Sequence, residues 1–382
     1  MTVFMEIIER KIEKLILDKV QANKVIVISG ARRVGKTFLI KKILQECNFE
    51  YLFLNGEDLN THLLLSKRSV ENYRQVLGSR KLLVIDEAQK VPEIGEILKL
   101  MVDEIEGLHI IVSGSSALDL FNQTGEPLTG RKYSYTLFPF CEAEYDNAEN
   151  KVSKPDKLKQ RLVFGNYPEL LHIPDNSDKK QYIAEIINSY LLKDILLFEN
   201  IKNSSKIINL LRLIAFQIGS EVSYQELGKQ LSISKNTVEK YLDLLSKVFI
   251  IHKVEGFSRN LRKEISKSSR WYFYDNGIRN AIVANFNQLV VRNDIGLLWE
   301  NYMISERIKF QQYHRMIVNN YFWRTYDQQE IDWVEERDGT LFAYEFKWGE
   351  KKVKTPGAWS RAYPESEFFV ITPTNYHDWL IA

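Results

Sequence analysis

Short aliphatic runs, each closed by a polar turn, recur through the first third of the chain. Lys24-Val25-Ile26-Val27-Ile28, a run near 50–55, Lys81-Leu82-Leu83-Val84-Ile85-Asp86 and His109-Ile110-Ile111-Val112 are of this kind. An apolar run with no polar alternate reads as a strand buried on both faces, as in a parallel sheet. Between the runs the apolar positions change to helical spacing, as in Thr37-Phe38-Leu39-Ile40-Lys41-Lys42-Ile43-Leu44, and an amphipathic helix at about 4–19 precedes the first strand. Strand and helix in alternation predict an α/β fold with a parallel sheet. The polar stretch from Asp146 to Asp156 then reads as a boundary or surface excursion, and helical spacing resumes from Tyr182 through Phe198.

The turns carry the candidate chemistry. Gly30-x-x-x-x-Gly35-Lys36-Thr37 lies between the first strand and the first long helix, the order that a phosphate-binding loop requires. Its glycines allow the amides to turn inward, so Gly30, Arg33, Val34 and Gly35 are expected to surround phosphate groups at the helix start. Lys36 would reach the β- and γ-phosphates, Thr37 would ligate Mg²⁺, and Phe38 would flank the nucleotide on the first helical turn. Asp86 and Glu87 end a buried strand, where open α/β sheets bind ligands. Asp86 is expected in the Mg²⁺ shell and Glu87 against the attacking water. The hydroxyls of Ser113-Gly114-Ser115-Ser116, Ser115 above all, are placed to sense the γ-phosphate. Arg131, in Leu128-Thr129-Gly130-Arg131, is expected to reach a transferring phosphate of its own or a neighbouring chain.

Composition narrows the class. The chain has 382 residues, enough for two or three domains, and 45% of them are hydrophobic. Fifty-two basic residues against 50 acidic ones leave a net charge of +2, so affinity for nucleic acid would have to come from a local patch. Cys47 and Cys141 lack metal spacing and fit reduced thiols, and the six histidines form no zinc pair. Early charges argue against a signal peptide, and no apolar run reaches the ~18 residues of a spanning helix. A cytoplasmic protein with no membrane partner is expected.

Residues 205–275 change the pattern. A helix through Ile207–Ile214, a second opened by Ser223-Tyr224-Gln225-Glu226, a Ser232-Ile233-Ser234 turn and a third helix from Lys235 predict a helix-turn-helix. Val248–Val254 and Arg270–Tyr274 read as the strands of a wing. Its tip holds Arg259, Arg262, Lys263, Lys267 and Arg270 against Glu264, which suits phosphate contacts and makes DNA an expected partner. In the last ninety residues a helix around Gly296–Ile304 precedes strands near 317–324, 329–335 and 341–347. Period-two alternation puts Asp332, Glu345 and Lys347 on one side of the sheet. Two carboxylates, Glu300 as a third metal ligand, and Lys347 beside a water are what Mg²⁺-dependent phosphodiester hydrolysis needs.

"GARRVGKT", "LLVIDEAQ", "IIVSGSSALDL", "LTGRKYSYTLFPFCEAEY", "FGNYPELL", "YLLKDIL", "WYFYDNGIRNAIV", "WENYMISE" and "EIDWV…AYEFKWG" together resemble the prokaryotic AAA-type P-loop ATPases that carry a C-terminal DUF4143 region. The resemblance implies an AAA+ core over 1–160, a helical linker and winged helix over 161–290, and a restriction-endonuclease-like α/β domain of the PD-(D/E)xK type over 291–382. ATP and Mg²⁺ are the expected cofactors of the loop, and the Asp332, Glu345 and Lys347 set favours ATP hydrolysis coupled to nucleic-acid binding, with phosphodiester cleavage at the end domain. The resemblance also favours Arg131 as a functional arginine; if it acts on a neighbouring chain, a homo-oligomer follows. The alternative is an ATP-driven switch that binds a protein partner and keeps the nuclease-like fold as a scaffold.

Overall fold

The computed structural model describes residues 8–115, 128–146, 148–150, 152–191, 204–259, 268–349 and 353–381. Ser116, the wing-tip residues Arg262, Lys263, Glu264 and Lys267, the end of the helix expected through Phe198 and the first turn of the helix expected from about residue 4 lie outside them. The chain divides into two compact units, 1–139 and 140–382.

In the first unit the apolar runs become strands: β1 (Lys24–Ser29), β2 (Tyr51–Asn55), β3 (Leu82–Asp86), β4 (His109–Gly114) and β5 (Lys132–Thr136), in the order β2-β3-β4-β1-β5. All four pairings are parallel. Every residue of β3 is buried, as expected of a strand covered on both faces by helices. Val25, Val27, Leu83, Ile85, Ile110 and Val112 pack in one core with Leu98 and Met101 of the helix Ile94–Glu104. The helix expected at about 4–19 is described as Ile12–Leu17. Register decides where the chemistry goes. Ile28 lies opposite Ser113, and Ile85 opposite Val112, so the ends of β1, β3 and β4 come level along the carboxyl edge of the sheet.

The second unit holds a six-stranded mixed sheet in the order β11-β10-β9-β8-β6-β7. Its strands are β6 (Ile251–Gly256), β7 (Ser269–Phe273), β8 (Asn319–Arg324), β9 (Glu330–Arg337), β10 (Thr340–Phe346) and β11 (Glu367–Ile371). The helices Ser204–Phe216, Tyr224–Leu231 and Lys235–Lys247 precede it. Ser223 accepts a hydrogen bond from the Glu226 amide at 3.3 Å, and Ser234 one from the Thr237 amide at 3.1 Å, so each helix start has a side-chain cap. β6 pairs antiparallel with β7 and parallel with β8. A break at 290 therefore does not separate two sheets, because the hairpin expected as a wing forms two strands of the sheet that carries Asp332.

The break expected near 160 also moves, to 139/140. Acidic residues from 142 to 149 are bound to the second unit. The Glu142 amide donates to Glu306 at 2.7 Å, and Arg161 binds Glu142 at 2.9 Å and Glu149 at 2.8 Å with all three side chains buried. The stretch is polar because it supplies ion-pair partners, which composition alone does not distinguish from a solvated linker. Among the described residues no helix is long and apolar enough to cross a membrane.

His252 of β6 is buried between Tyr272 and Tyr274, and neither ring nitrogen has a hydrogen-bond partner. Burial pulls its pKa down to about 3, so the folded chain holds it neutral while the unfolded chain protonates it near 6.5. Its contribution is complete above pH 6.5 and is lost as pH falls towards 3. Between pH 6.5 and 5 the wild type should lose about 2 kcal/mol more stability than His252→Phe. Urea titrations followed by tryptophan fluorescence test this, since all seven tryptophans lie in the second unit. Equal losses would refute it.

Candidate functional sites

The glycine turn after β1 folds as the motif requires. Gly30 has φ 152°, and a Cβ there would run into the Leu137 carbonyl. Gly35 has φ 95° and precedes the helix Lys36–Glu46; both angles favour glycine. Lys36 is 6% exposed and its Nζ donates to the Gly30 and Ala31 carbonyls, each at 2.9 Å. Thr37 Oγ1 donates to Asp86 Oδ2 at 2.6 Å. Asp86 Oδ1 accepts from the Ser113 hydroxyl and from the Glu87 amide at 3.1 Å. One hydroxyl and one carboxylate, side by side at a helix start, suit Mg²⁺, which keeps most of its waters and takes few protein ligands. The Val34 side chain is buried in the core, which leaves its amide for an anion, whereas Arg33, Thr37 and Phe38 are exposed on the loop and first turn.

Gln89 and Ser113 joined this group without being expected in those roles. Gln89 Nε2 donates to Glu87 at 2.6 Å and to Ser115 at 3.1 Å, while Asp86 is held by Ser113 and not by Ser115. The quoted run "DEAQ" contained the signal for Gln89, but only the turn geometry shows that the side chain folds back.

Arg131 requires a correction. It immediately precedes β5, whose Lys132 lies opposite Val25 at the start of β1, so it stands at the amino edge of the sheet, away from its own loop. Five residues of extended chain separate the two edges, roughly 16 Å. Its Nε is bound to Asp103 at 2.6 Å, and that hydrogen bond raises its pKa. A role towards the phosphates of its own chain is thereby excluded in this conformation. Arg131→Ala should keep ATP turnover within about threefold of wild type, measured as phosphate release. A fall of ~10³-fold would instead mark an arginine supplied to a neighbouring chain.

A second polar group lies on the sheet of the other unit. Tyr344 of β10 is opposite Trp333 of β9, which brings Glu345 beside Asp332; Asp332 Oδ2 accepts from the Phe346 amide at 2.9 Å. Lys347 Nζ lies 2.6 Å from Glu345 and 3.9 Å from Asp332. Burial, with the Glu300 and Glu345 carboxylates nearby, holds Asp332 well above the usual carboxylate range. Burial acts to lower the Lys347 ammonium, but Asp332 and Glu345 outweigh it and the pKa ends above its ordinary value. Glu345 Oε2 is buried without a hydrogen-bond partner, an acceptor available to a cation. Glu300 is held by the Tyr272 hydroxyl at 2.7 Å. Among the described residues no three His, Cys, Asp or Glu side chains are grouped to hold a metal ion, so Glu300 does not complete the expected three-carboxylate shell.

Arg270, counted with the basic wing tip, is 4% exposed, lies over the Phe322 ring and pairs with Glu330 at 2.8 Å. It belongs to the core of the sheet and is not a surface cation. Arg259 pairs with Glu336 at 3.0 Å. Beside the helix turn, a recess of about 750 Å³ is lined by Gln225, Lys229, Ser232, Ser234 and Lys235.

Family models match three stretches: AAA domain (AAA_14) over 22–146, a domain of unknown function (DUF8612) over 155–289, and a domain of unknown function (DUF4143) over 295–375. The chain joins an AAA domain to a DUF4143 region. The first match contains the loop, Asp86, Glu87, Ser115 and Arg131; the last contains Glu300, Asp332, Glu345 and Lys347. An uncharacterized protein of Mycobacterium tuberculosis is 24% identical over 331 residues, 85% of this chain and 70% of the relative. One from Methanocaldococcus jannaschii is 26% identical over 273 residues, 66% of this chain and 60% of that protein. Among solved structures, RuvB from Thermotoga maritima aligns with a TM-score of 0.32 and 15% identity, covering 64% of this chain and 88% of that one. A signal transduction ATPase with numerous domains from Pyrococcus horikoshii aligns with a TM-score of 0.31 and 13% identity, covering 81% and 47%. The AAA domain is of the P-loop, ATP-binding type, and its parallel sheet is followed by a second α/β sheet unit.

Proposed function

We propose that the AAA domain hydrolyses ATP with Mg²⁺ and that nucleotide state is coupled to nucleic acid held by the second unit. The observation that carries this reading is the hydrogen-bonded group of Thr37, Asp86 and Ser113 at the carboxyl edge of the sheet, beside a loop whose carbonyls at Gly30 and Ala31 hold the buried Lys36 ammonium. Lys36 would exchange its two carbonyl partners for phosphate oxygens. Mg²⁺, held by Thr37 and Asp86, would offset the charge on the β- and γ-phosphates. A water oxygen then bonds to the γ-phosphorus, the bond to the β–γ bridging oxygen breaks, ADP leaves with the electron pair, and the proton of the water passes to Glu87.

In the second unit the helices from 204 to 247 would act as a helix-turn-helix, with Lys229 and Lys235 beside DNA phosphates. Asp332 and Glu345 would hold Mg²⁺ while Lys347 positions the water for phosphodiester cleavage. The alternative is a protein-binding switch that keeps the second unit as a scaffold, and the lack of a third grouped carboxylate among the described residues is what speaks for it.

The deciding experiment follows ATP turnover and the cleavage of labelled single- and double-stranded DNA and RNA, with Mg²⁺ or Mn²⁺ and with or without ATP. It compares wild type, Lys36→Ala and Lys347→Ala. Cleavage lost in Lys347→Ala and altered in Lys36→Ala supports the coupled nuclease. No cleavage by a wild type that hydrolyses ATP supports the switch.

A further inference from the structure

We propose that Gln89 is a positioning residue of the ATP site: its Nε2 fixes the Glu87 carboxylate, and its Oε1 accepts a hydrogen bond from the water that attacks the γ-phosphate. This rests on the reading of the AAA domain as an ATP hydrolase.

The local backbone explains how a residue two positions beyond Glu87 returns to it. Glu87 takes the left-handed conformation, φ 51°, and Ala88–Lys90 form a single 3₁₀ turn, closed by the Lys90 amide on the Glu87 carbonyl at 3.0 Å. Gly56 secures the bend from β2: its amide donates to the Asp86 carbonyl at 2.7 Å, and a Cβ there would run into the Glu87 carbonyl. Within that bend the two hydrogens of Gln89 Nε2 are divided between Glu87 at 2.6 Å and Ser115 at 3.1 Å. Because a carboxylate only accepts, the contact with Glu87 fixes which end of the amide is which. Gln89 Oε1 then remains, buried and without a hydrogen-bond partner.

Buried amide oxygens are nearly always paired, so an unpaired one needs a reason. Here its neighbours through the same amide are the expected base, Glu87, and the expected γ-phosphate sensor, Ser115. A water between Glu87 and the γ-phosphate has two hydrogens. One goes to Glu87 as the base; Gln89 Oε1 accepts the other and thereby sets the lone pair towards phosphorus. Ser115 shares the amide, so a hydroxyl that responds to the γ-phosphate acts on Glu87 through Gln89.

The test uses the full chain, with wild type, Lys36→Ala, Gln89→Ala and Gln89→Glu. Turnover number is measured with saturating ATP and Mg²⁺, and dissociation constants with a non-hydrolysable ATP analogue. Gln89→Ala removes both contacts, whereas Gln89→Glu keeps the length but sets a second carboxylate against Glu87. Both variants should lose about 10²-fold in kcat with analogue binding within threefold of wild type, because the hydrogen bonds of Gln89 go to neither Lys36 nor Thr37. A merely structural glutamine would move binding and turnover together. A kcat within threefold of wild type, or a dissociation constant that rises in step with the loss of kcat, overturns the proposal. If Gln89→Ala does not fold, Gln89→Glu decides alone. A wild type no faster than Lys36→Ala refutes the ATPase reading itself, and the role of Gln89 falls with it.

Discussion

Lys36→Ala should reduce ATP turnover by about 10²–10³-fold, the loss found when one preorganised charge-stabilising group is removed from a reacting centre. The side chain is buried against two carbonyls of its own loop at 2.9 Å, so the ammonium is held at the point that the loop encloses. Charge-assisted hydrogen bonds of this kind contribute roughly 1.5–3 kcal/mol each, and phosphate oxygens offer the ammonium full negative charge in place of carbonyl dipoles. The variant should also lose its thermal response to nucleotide. At ATP·Mg²⁺ a hundredfold above Kd, the wild-type AAA domain gains ~2.7 kcal/mol, whereas Lys36→Ala, with Kd raised above that concentration, gains almost none. Phosphate release and thermal unfolding with and without ATP measure the two effects. Wild-type turnover in Lys36→Ala would mean that the loop is not the hydrolytic site.

The parallel sheet was legible because its strands are covered on both faces. The runs beginning at Lys24, Lys81 and His109 are apolar without alternation, and they fold as β1, β3 and β4 within two residues of where the pattern ends. The chemistry at their carboxyl ends was legible for the same reason, since a buried strand that stops in Asp86-Glu87 or in Ser113 must deliver those side chains to its edge. What the pattern could not carry was contact between edges. Ser113 reaches Asp86 through the register of β3 with β4, and Gln89 reaches Glu87 through one left-handed residue; neither leaves a periodicity. Arg131 was misplaced because its motif was read without strand direction, and β5 alone decides which end of the sheet it occupies. In the second unit, an alternating hairpin looks the same whether it is a free wing or part of a larger sheet. The pairing of Glu255 with Tyr321 is long-range, and it is this pairing that joins the hairpin to the strands carrying Asp332 and Glu345.

That continuity makes Lys347→Ala the sharper test of the second unit. If Asp332 and Glu345 hold Mg²⁺ for cleavage, removal of the lysine beside the water should lower the rate by about 10²–10⁴-fold. Substrate binding should remain, because Lys229 and Lys235 lie on other elements. Lys347 also lies against the Asp332 and Glu345 carboxyls, and without it Asp332, already held well above the usual carboxylate range, is pushed higher still. Lys347→Arg separates the two roles: it keeps the charge on a longer, planar head that cannot occupy the position of the ammonium. A nuclease should lose activity in both variants but thermal stability chiefly in Lys347→Ala. A scaffold would show the same pattern of stability with no cleavage to lose. ATP turnover should be unchanged in either variant, because Lys347 belongs to the second unit and the loop, Asp86 and Glu87 to the first.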